Sequence, residues 1–203
     1  MIQNIIFDIG NVLVDFCWQE HIAKFGFTGE TAKRLGEAMM LHPVWNELDR
    51  GVWNNEQLLQ GFIKNDPELE AQIRLVFSDL SSLVREREGT NKWLCTLKKT
   101  GYKVYYLSNF SARVKTEASR QLTFLHEMDG GVMSYTVQLI KPEPYIYEVL
   151  LNRYKLNAKE CVFLDDSRAN VDTAKRMGMQ GIVVESQEQA IKDLDRLLKE
   201  QRI

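Results

Sequence analysis

The chain has 203 residues, of which 44% are hydrophobic and 27% charged, and a formal charge of −2. This is the composition of a globular protein with room for one full core and a smaller lobe, and it lacks the basic excess of a nucleic-acid binder. No apolar run approaches the roughly 20 residues that span a bilayer, and the first residues do not read as a secretory leader.

In chain order, Asn4 to Phe7 is a short apolar run, expected to be a buried strand that ends at Asp8. From about Cys17 to Arg87 the apolar positions recur at helical spacing, as in Leu35 and Met39, Leu58 and Phe62, and Ile73, Val76, Phe77 and Leu80. His42-Pro43, Asp49-Arg-Gly51 and Asp66-Pro67 punctuate this segment, and no β-rich run is expected in it. A helix over 91–100 should stop at Gly101, followed by a strand over 103–107. A helix over 112–125, an extended piece over 132–137, a helix over 143–154 and a strand over 161–164 come next. The chain then predicts a helix over 168–177, a strand over 181–184 and a helix over 187–199. Such alternation implies an α/β fold, a three-layer Rossmann-like parallel sheet carrying an inserted helical lobe.

In a parallel sheet, ligands bind beyond the carboxyl ends of the strands. The polar residues that follow each apolar run are therefore the informative ones. The first strand delivers Asp8, the second Ser108 and Asn109, and the strand over 161–164 delivers Asp165 and Asp166. Lys141, held extended by Pro142, lies between the last two. Singly, each has an ordinary reading: a turn residue, a helix N-cap, or a solvated charge. Together they place three carboxylates at one sheet end, where mutual repulsion calls for a cation. Oxygen donors without nearby His or Cys suit Mg²⁺ rather than zinc. The histidines His21, His42 and His126 show no ligand spacing, and Cys17, Cys95 and Cys161 read as reduced thiols of a cytoplasmic protein. A lysine and a Ser-Asn pair added to the metal suit a phosphoryl group.

Four stretches in order, Phe7-Asp-Ile-Gly-Asn-Val-Leu-Val14, Leu107-Ser-Asn109, Lys141-Pro142 and Phe163-Leu-Asp-Asp-Ser-Arg-Ala-Asn170, resemble the motifs of the haloacid dehalogenase-like hydrolase superfamily. The resemblance implies a core of residues 1–15 and 89–203 with a C1-type helical cap over 16–88. It implies that Asp8 is the nucleophile that forms an aspartyl-phosphate, and that Ser108 with the Asn109 backbone binds phosphate. It further implies that Lys141 balances charge, while Asp8, the Gly10 carbonyl and Asp166 hold Mg²⁺. Asp165 would stand beside Asp166 as a second or outer-shell contributor to the metal, and Asn170 would support the metal's water shell. The implied activity is Mg²⁺-dependent hydrolysis of a small phosphorylated metabolite, with a sugar phosphate suggested by the Phe-Asp-x-Gly-Asn-Val subgroup. No nucleic acid, membrane or obligate protein partner is expected.

One departure matters. Phosphatases of this superfamily typically read Asp-x-Asp, and Gly10 stands where the second acid would act as proton donor and base. Loss of such a group costs on the order of 10² to 10⁴ in rate. A metal-independent 2-haloacid dehalogenase, a phosphotransferase or mutase, and a non-catalytic binding relative are therefore the alternatives. The cap's candidates for substrate contact are His42, Trp45, Glu47, Asp49, Arg50 and Trp53, with the tryptophans equally suited to fastening cap helices together.

Overall fold

In the computed structural model, which describes residues 1–200, β1 (Asn4–Phe7) runs through the middle of the body with all four residues buried. β2 (Val14–Phe16) leaves the body and leads into α1 (Trp18–Lys24), α2 (Gly29–Ala38), α3 (Trp45–Arg50), α4 (Asn55–Asn65) and α5 (Glu70–Phe77). β3 (Val84–Glu86) returns antiparallel to β2, pairing Val14 with Glu86 and Phe16 with Val84. The body resumes with α6 (Thr90–Lys99), β4 (Lys103–Ser108), α7 (Ala112–Glu117), β5 (Gly130–Met133), α8 (Pro144–Tyr154), β6 (Cys161–Asp165), α9 (Arg168–Arg176), β7 (Gln180–Val183) and α10 (Gln187–Glu200).

Five strands form one parallel sheet in the order β5-β4-β1-β6-β7. Successive strand residues face opposite sides, and the two cores follow from that alternation. Ile5 and Phe7 pack with Trp93, Leu94 and Leu97 of α6 and with Leu194 and Leu198 of α10. Ile6 faces the other way, toward Ile146, Tyr147 and Leu150 of α8 and Ala174 of α9. The helical lobe adds Leu35, Met39, Phe62, Ile73 and Phe77 to the first of these cores, so it shares an apolar interior with the body. Among the described residues no helix is long and apolar enough to cross a membrane.

The observed elements depart from the sequence expectations at three places. β3 lies inside the segment expected to be helical; its partner strand is some seventy positions earlier, beyond the reach of local periodicity. The helix expected over 112–125 stops at Glu117 and continues as 3-10 turns over Ser119–Gln121 and Thr123–Glu127. Val114, Ala118 and Leu122 are all buried, so the apolar spacing persists across the break and hides it. The extended piece expected over 132–137 begins at Gly130 and ends at Met133, and Ser134–Thr136 form a 3-10 turn. Gly130 and Gly131, lacking a Cβ, let β5 lie flush against Tyr106 and Tyr154.

Candidate active site

Three strand ends meet at one edge of the sheet. Asp8 follows β1 directly, and its backbone N–H donates to the Leu164 carbonyl at 2.8 Å, which locks the turn to β6. Lys141 sits beneath it, almost fully buried, with Nζ 2.8 Å from Asp8 Oδ1 and 2.6 Å from Asp165 Oδ2. Asn109 positions that lysine: its Oδ1 accepts from the Lys141 N–H at 2.8 Å and its Nδ2 donates to the Lys141 carbonyl at 3.0 Å.

The two adjacent acids face different ways. Asp165 is fully buried, and its carboxylate accepts from Lys141, from the Ser167 N–H at 2.8 Å and from Asn170 Nδ2 at 2.9 Å. Asn170 thus directs its amide at Asp165, while its own carbonyl accepts from the Tyr147 hydroxyl at 3.0 Å. Asp166 is exposed and accepts from Asn11 Nδ2 at 3.0 Å. Asn11 holds a left-handed φ of 53°, a conformation that asparagine tolerates better than most residues. One oxygen from each of Asp8, Asp165 and Asp166 lies within 4.8 Å of the others.

The electrostatics follow from this crowding. Burial pushes Asp8 up to about 7; Lys141 pulls it down, Asp165 raises it further, and the nearby Ser108 hydroxyl lowers it. For Lys141, burial works against the charged form, but the Asp165 and Asp8 carboxylates outweigh it and hold the ammonium above its ordinary value. Ser108, at the end of β4, is fully buried; its hydroxyl lies close enough to Asp8 to favour that carboxylate, but it makes no hydrogen bond of good geometry among the described residues. A buried hydroxyl without a partner of good geometry calls for an explanation, and a bound anion is one.

A cleft of about 180 Å³ opens above these groups. Asp8, Gly10, Asn109 and Asp166 line it from the body, and Trp45 and Asp49 from α3. Of the six cap residues singled out in the sequence, only these two line it. His42 lines a separate hollow with Arg34 and Asp66, Trp53 packs beside Gly61 of α4, and Glu47 lies 3.9 Å from Arg50. Arg50 forks onto Glu143, at 2.6 Å to Oε1 and 3.3 Å to Oε2. Asp49 is partly accessible, and burial pushes its carboxyl up to about 7; Asp8 raises it further, and Lys141 pulls the other way. Asn11, Ser134 and Tyr147, which hold Asp166, the Asp49 carbonyl and Asn170, escaped the sequence reading. Asn11 carried a signal in its place after Gly10; the other two carried none.

An oxygen-only donor set with a spare buried hydroxyl fits a hard divalent cation and a phosphoryl oxygen. Asp8, Gly10 and Asp166 are the residues on the cleft side that could hold the cation, because the Asp165 carboxylate is occupied from behind.

The family described as haloacid dehalogenase-like hydrolase matches residues 2–178. Bifunctional epoxide hydrolase 2 of Mus musculus is 33% identical over 133 residues, 66% of this chain but only 21% of that protein. The Arabidopsis thaliana flavin mononucleotide hydrolase 1 is 27% identical over 204 residues, covering 95% of this chain and 76% of the relative. Among solved structures, a HAD family enzyme of Bacteroides thetaiotaomicron, in complex with magnesium and inorganic phosphate, superposes with a TM-score of 0.70 at 21% identity. That superposition covers 91% of this chain and 95% of the other, and it establishes a shared fold.

Proposed function

The chain belongs to the haloacid dehalogenase-like hydrolases, and from that membership we propose that it is a Mg²⁺-dependent phosphatase of a small phosphorylated metabolite such as a sugar phosphate. The observation that carries this reading is the buried Ser108 hydroxyl, without a hydrogen bond of good geometry, beside the cluster of Asp8, Lys141, Asp165 and Asp166. A reaction that needed only a carboxylate nucleophile would leave the buried Ser108 hydroxyl and the exposed Asp166 beside Asp8 without a purpose. Residues 1–15 and 89–203 are the hydrolase core in this reading, of which 201–203 lie outside the described residues, and 16–88 are the cap. The free thiols of Cys17, Cys95 and Cys161 suit a reducing cytoplasm.

Asp8 attacks phosphorus, and the aspartyl-phosphate so formed is later hydrolysed. Lys141 neutralises Asp8 and the incoming phosphate together, Asp165 and Asn109 hold the ammonium in place, and Ser108 donates to a phosphoryl oxygen. Asp8, Gly10 and Asp166 would hold Mg²⁺, which supplies charge neutralisation at the phosphate when bound.

The test is hydrolysis of a panel of sugar phosphates and 4-nitrophenyl phosphate with Mg²⁺ and with chelator. Turnover that needs Mg²⁺ and vanishes in Asp8→Asn is expected. Release of chloride from 2-chloropropionate in chelator, with no phosphate release from the panel, overturns the reading in favour of a dehalogenase. Phosphoryl transfer to a sugar acceptor in preference to water would instead identify a transferase.

A further inference from the structure

Resting on the phosphatase reading, we propose that Asp49, carried on cap helix α3, is the general acid and base missing from the Gly10 position. Three carboxyl groups line the cleft, and two have other work: Asp8 is the nucleophile and Asp166 is held at the metal side by Asn11. No His, Lys, Tyr or Cys side chain joins them in the lining. Asp49 is therefore the titratable side chain left to exchange protons there, and its carboxyl makes no hydrogen bond or ion pair among the described residues. Its neighbours on α3 differ in this respect, since Glu47 and Arg50 are both engaged.

The backbone of Asp49 is fixed from both sides. Its carbonyl accepts from the buried Ser134 Oγ, which in turn accepts from the Phe110 N–H at 2.9 Å. The next residue, Arg50, forks onto Glu143, two positions after Lys141, and also donates to the Gln138 carbonyl at 3.2 Å. Gly51 then ends α3 with a φ of 74°, its Cα against Tyr135 where a Cβ would come within 3.0 Å. One body segment, from Ser134 to Glu143, thus anchors both α3 and the lysine that pairs with Asp8. Burial and the Asp8 charge keep the Asp49 proton in place up to about neutral pH, opposed by Lys141. An acid poised near the working pH can donate and then accept with little driving-force loss.

The chemistry balances. As an Asp8 oxygen bonds to phosphorus, the ester P–O bond breaks, and the leaving oxygen takes the bonding pair and the Asp49 proton, giving the free alcohol. The Asp49 carboxylate then removes a proton from water, whose oxygen attacks phosphorus. The P–O bond to Asp8 breaks, releasing inorganic phosphate and restoring both acids.

A general acid matters more as the leaving group becomes a poorer one, and a merely structural residue does not discriminate. The test is kcat/KM of the full-length protein, Asp49→Asn and Asp49→Ala for 4-nitrophenyl phosphate and for phenyl phosphate, with Mg²⁺. Because kcat/KM reports steps through the first chemical event, we expect a loss for phenyl phosphate at least about tenfold larger than for 4-nitrophenyl phosphate. A pre-steady-state burst of 4-nitrophenolate should appear in both variants as dephosphorylation slows. Equal losses on the two esters, or no loss on either, would overturn the assignment of Asp49 while leaving the phosphatase reading intact. Absence of hydrolysis by the unsubstituted protein would overturn the phosphatase reading and this assignment with it.

Discussion

A buried hydroxyl with no hydrogen-bond partner costs up to about 1–3 kcal/mol, and Ser108, which faces Asp8 without a hydrogen bond of good geometry, carries part of that cost at the end of β4. Ser108→Ala should therefore leave thermal stability unchanged or slightly raised. In the same variant, phosphate should bind roughly 10- to 100-fold more weakly, the worth of one hydrogen bond to a charged group. Calorimetric titration with inorganic phosphate in Mg²⁺, beside a melting curve, checks both halves. Asp49 carries a related burden. Its folded-state pKa, raised from 3.8 to about 7, means that the native protein keeps a proton the unfolded chain has released between those values. Stability from this group is thus lost as pH rises through that window and is level above it. Asp49→Asn should be more stable than the parent by a margin that grows from pH 4 to pH 7 and then stops growing, as followed by urea unfolding across the range. The residues that carry these effects differ in how visible they were beforehand. Asp8, Ser108 and Asp165 were legible because each follows an apolar strand, a position that topology alone aims at a ligand. The opposite headings of Asp165 and Asp166 were not, because they depend on Asn11, from the turn after β1, meeting Asp166 while Ser167 and Asn170, at the start of α9, hold Asp165.

At the scale of elements, β5 shows what local reading misses. The extended piece was expected from Val132 to Val137, whereas the strand begins at Gly130 and ends at Met133, because tertiary packing admits the two glycines. A Cβ at Gly131 would lie 2.4 Å from the Tyr106 ring and equally close to the Tyr106 carbonyl oxygen. The second of these is backbone and cannot move aside. Gly131→Ala should cost about 1–3 kcal/mol or more, and shortening the neighbour in a Gly131→Ala/Tyr106→Ala double variant should not restore the stability. Chemical denaturation of the two variants decides this. The β2–β3 pair was hidden for a different reason. Three residues on each side, only some of them buried, hold too little pattern to announce pairing across a whole helical segment. The long helices of the segment were legible because their apolar faces repeat over several turns.

For the whole molecule, the apolar interior runs without interruption from the body into the helical lobe. Trp93 meets Phe7 edge-on at 4.9 Å in the body, while Trp45 stacks on Phe62 at 6.0 Å in the lobe, and all four belong to the same core. A lobe that shares its interior with the sheet should unfold with it. Single-tryptophan variants retaining Trp45 or Trp93 are expected to report coincident urea transitions, and separated midpoints would show that the lobe melts on its own. The same closeness brings Asp49 and Trp45 of the lobe over Asp8 of the body, so the site belongs to neither part alone.

The measurement that tests the account most directly is mass spectrometry of the protein quenched in acid during turnover of 4-nitrophenyl phosphate with Mg²⁺. The account predicts a single phosphoryl adduct on the peptide that contains Asp8, absent in chelator and absent in Asp8→Asn. Phosphate release with no such adduct, or an adduct on a different residue, would contradict it.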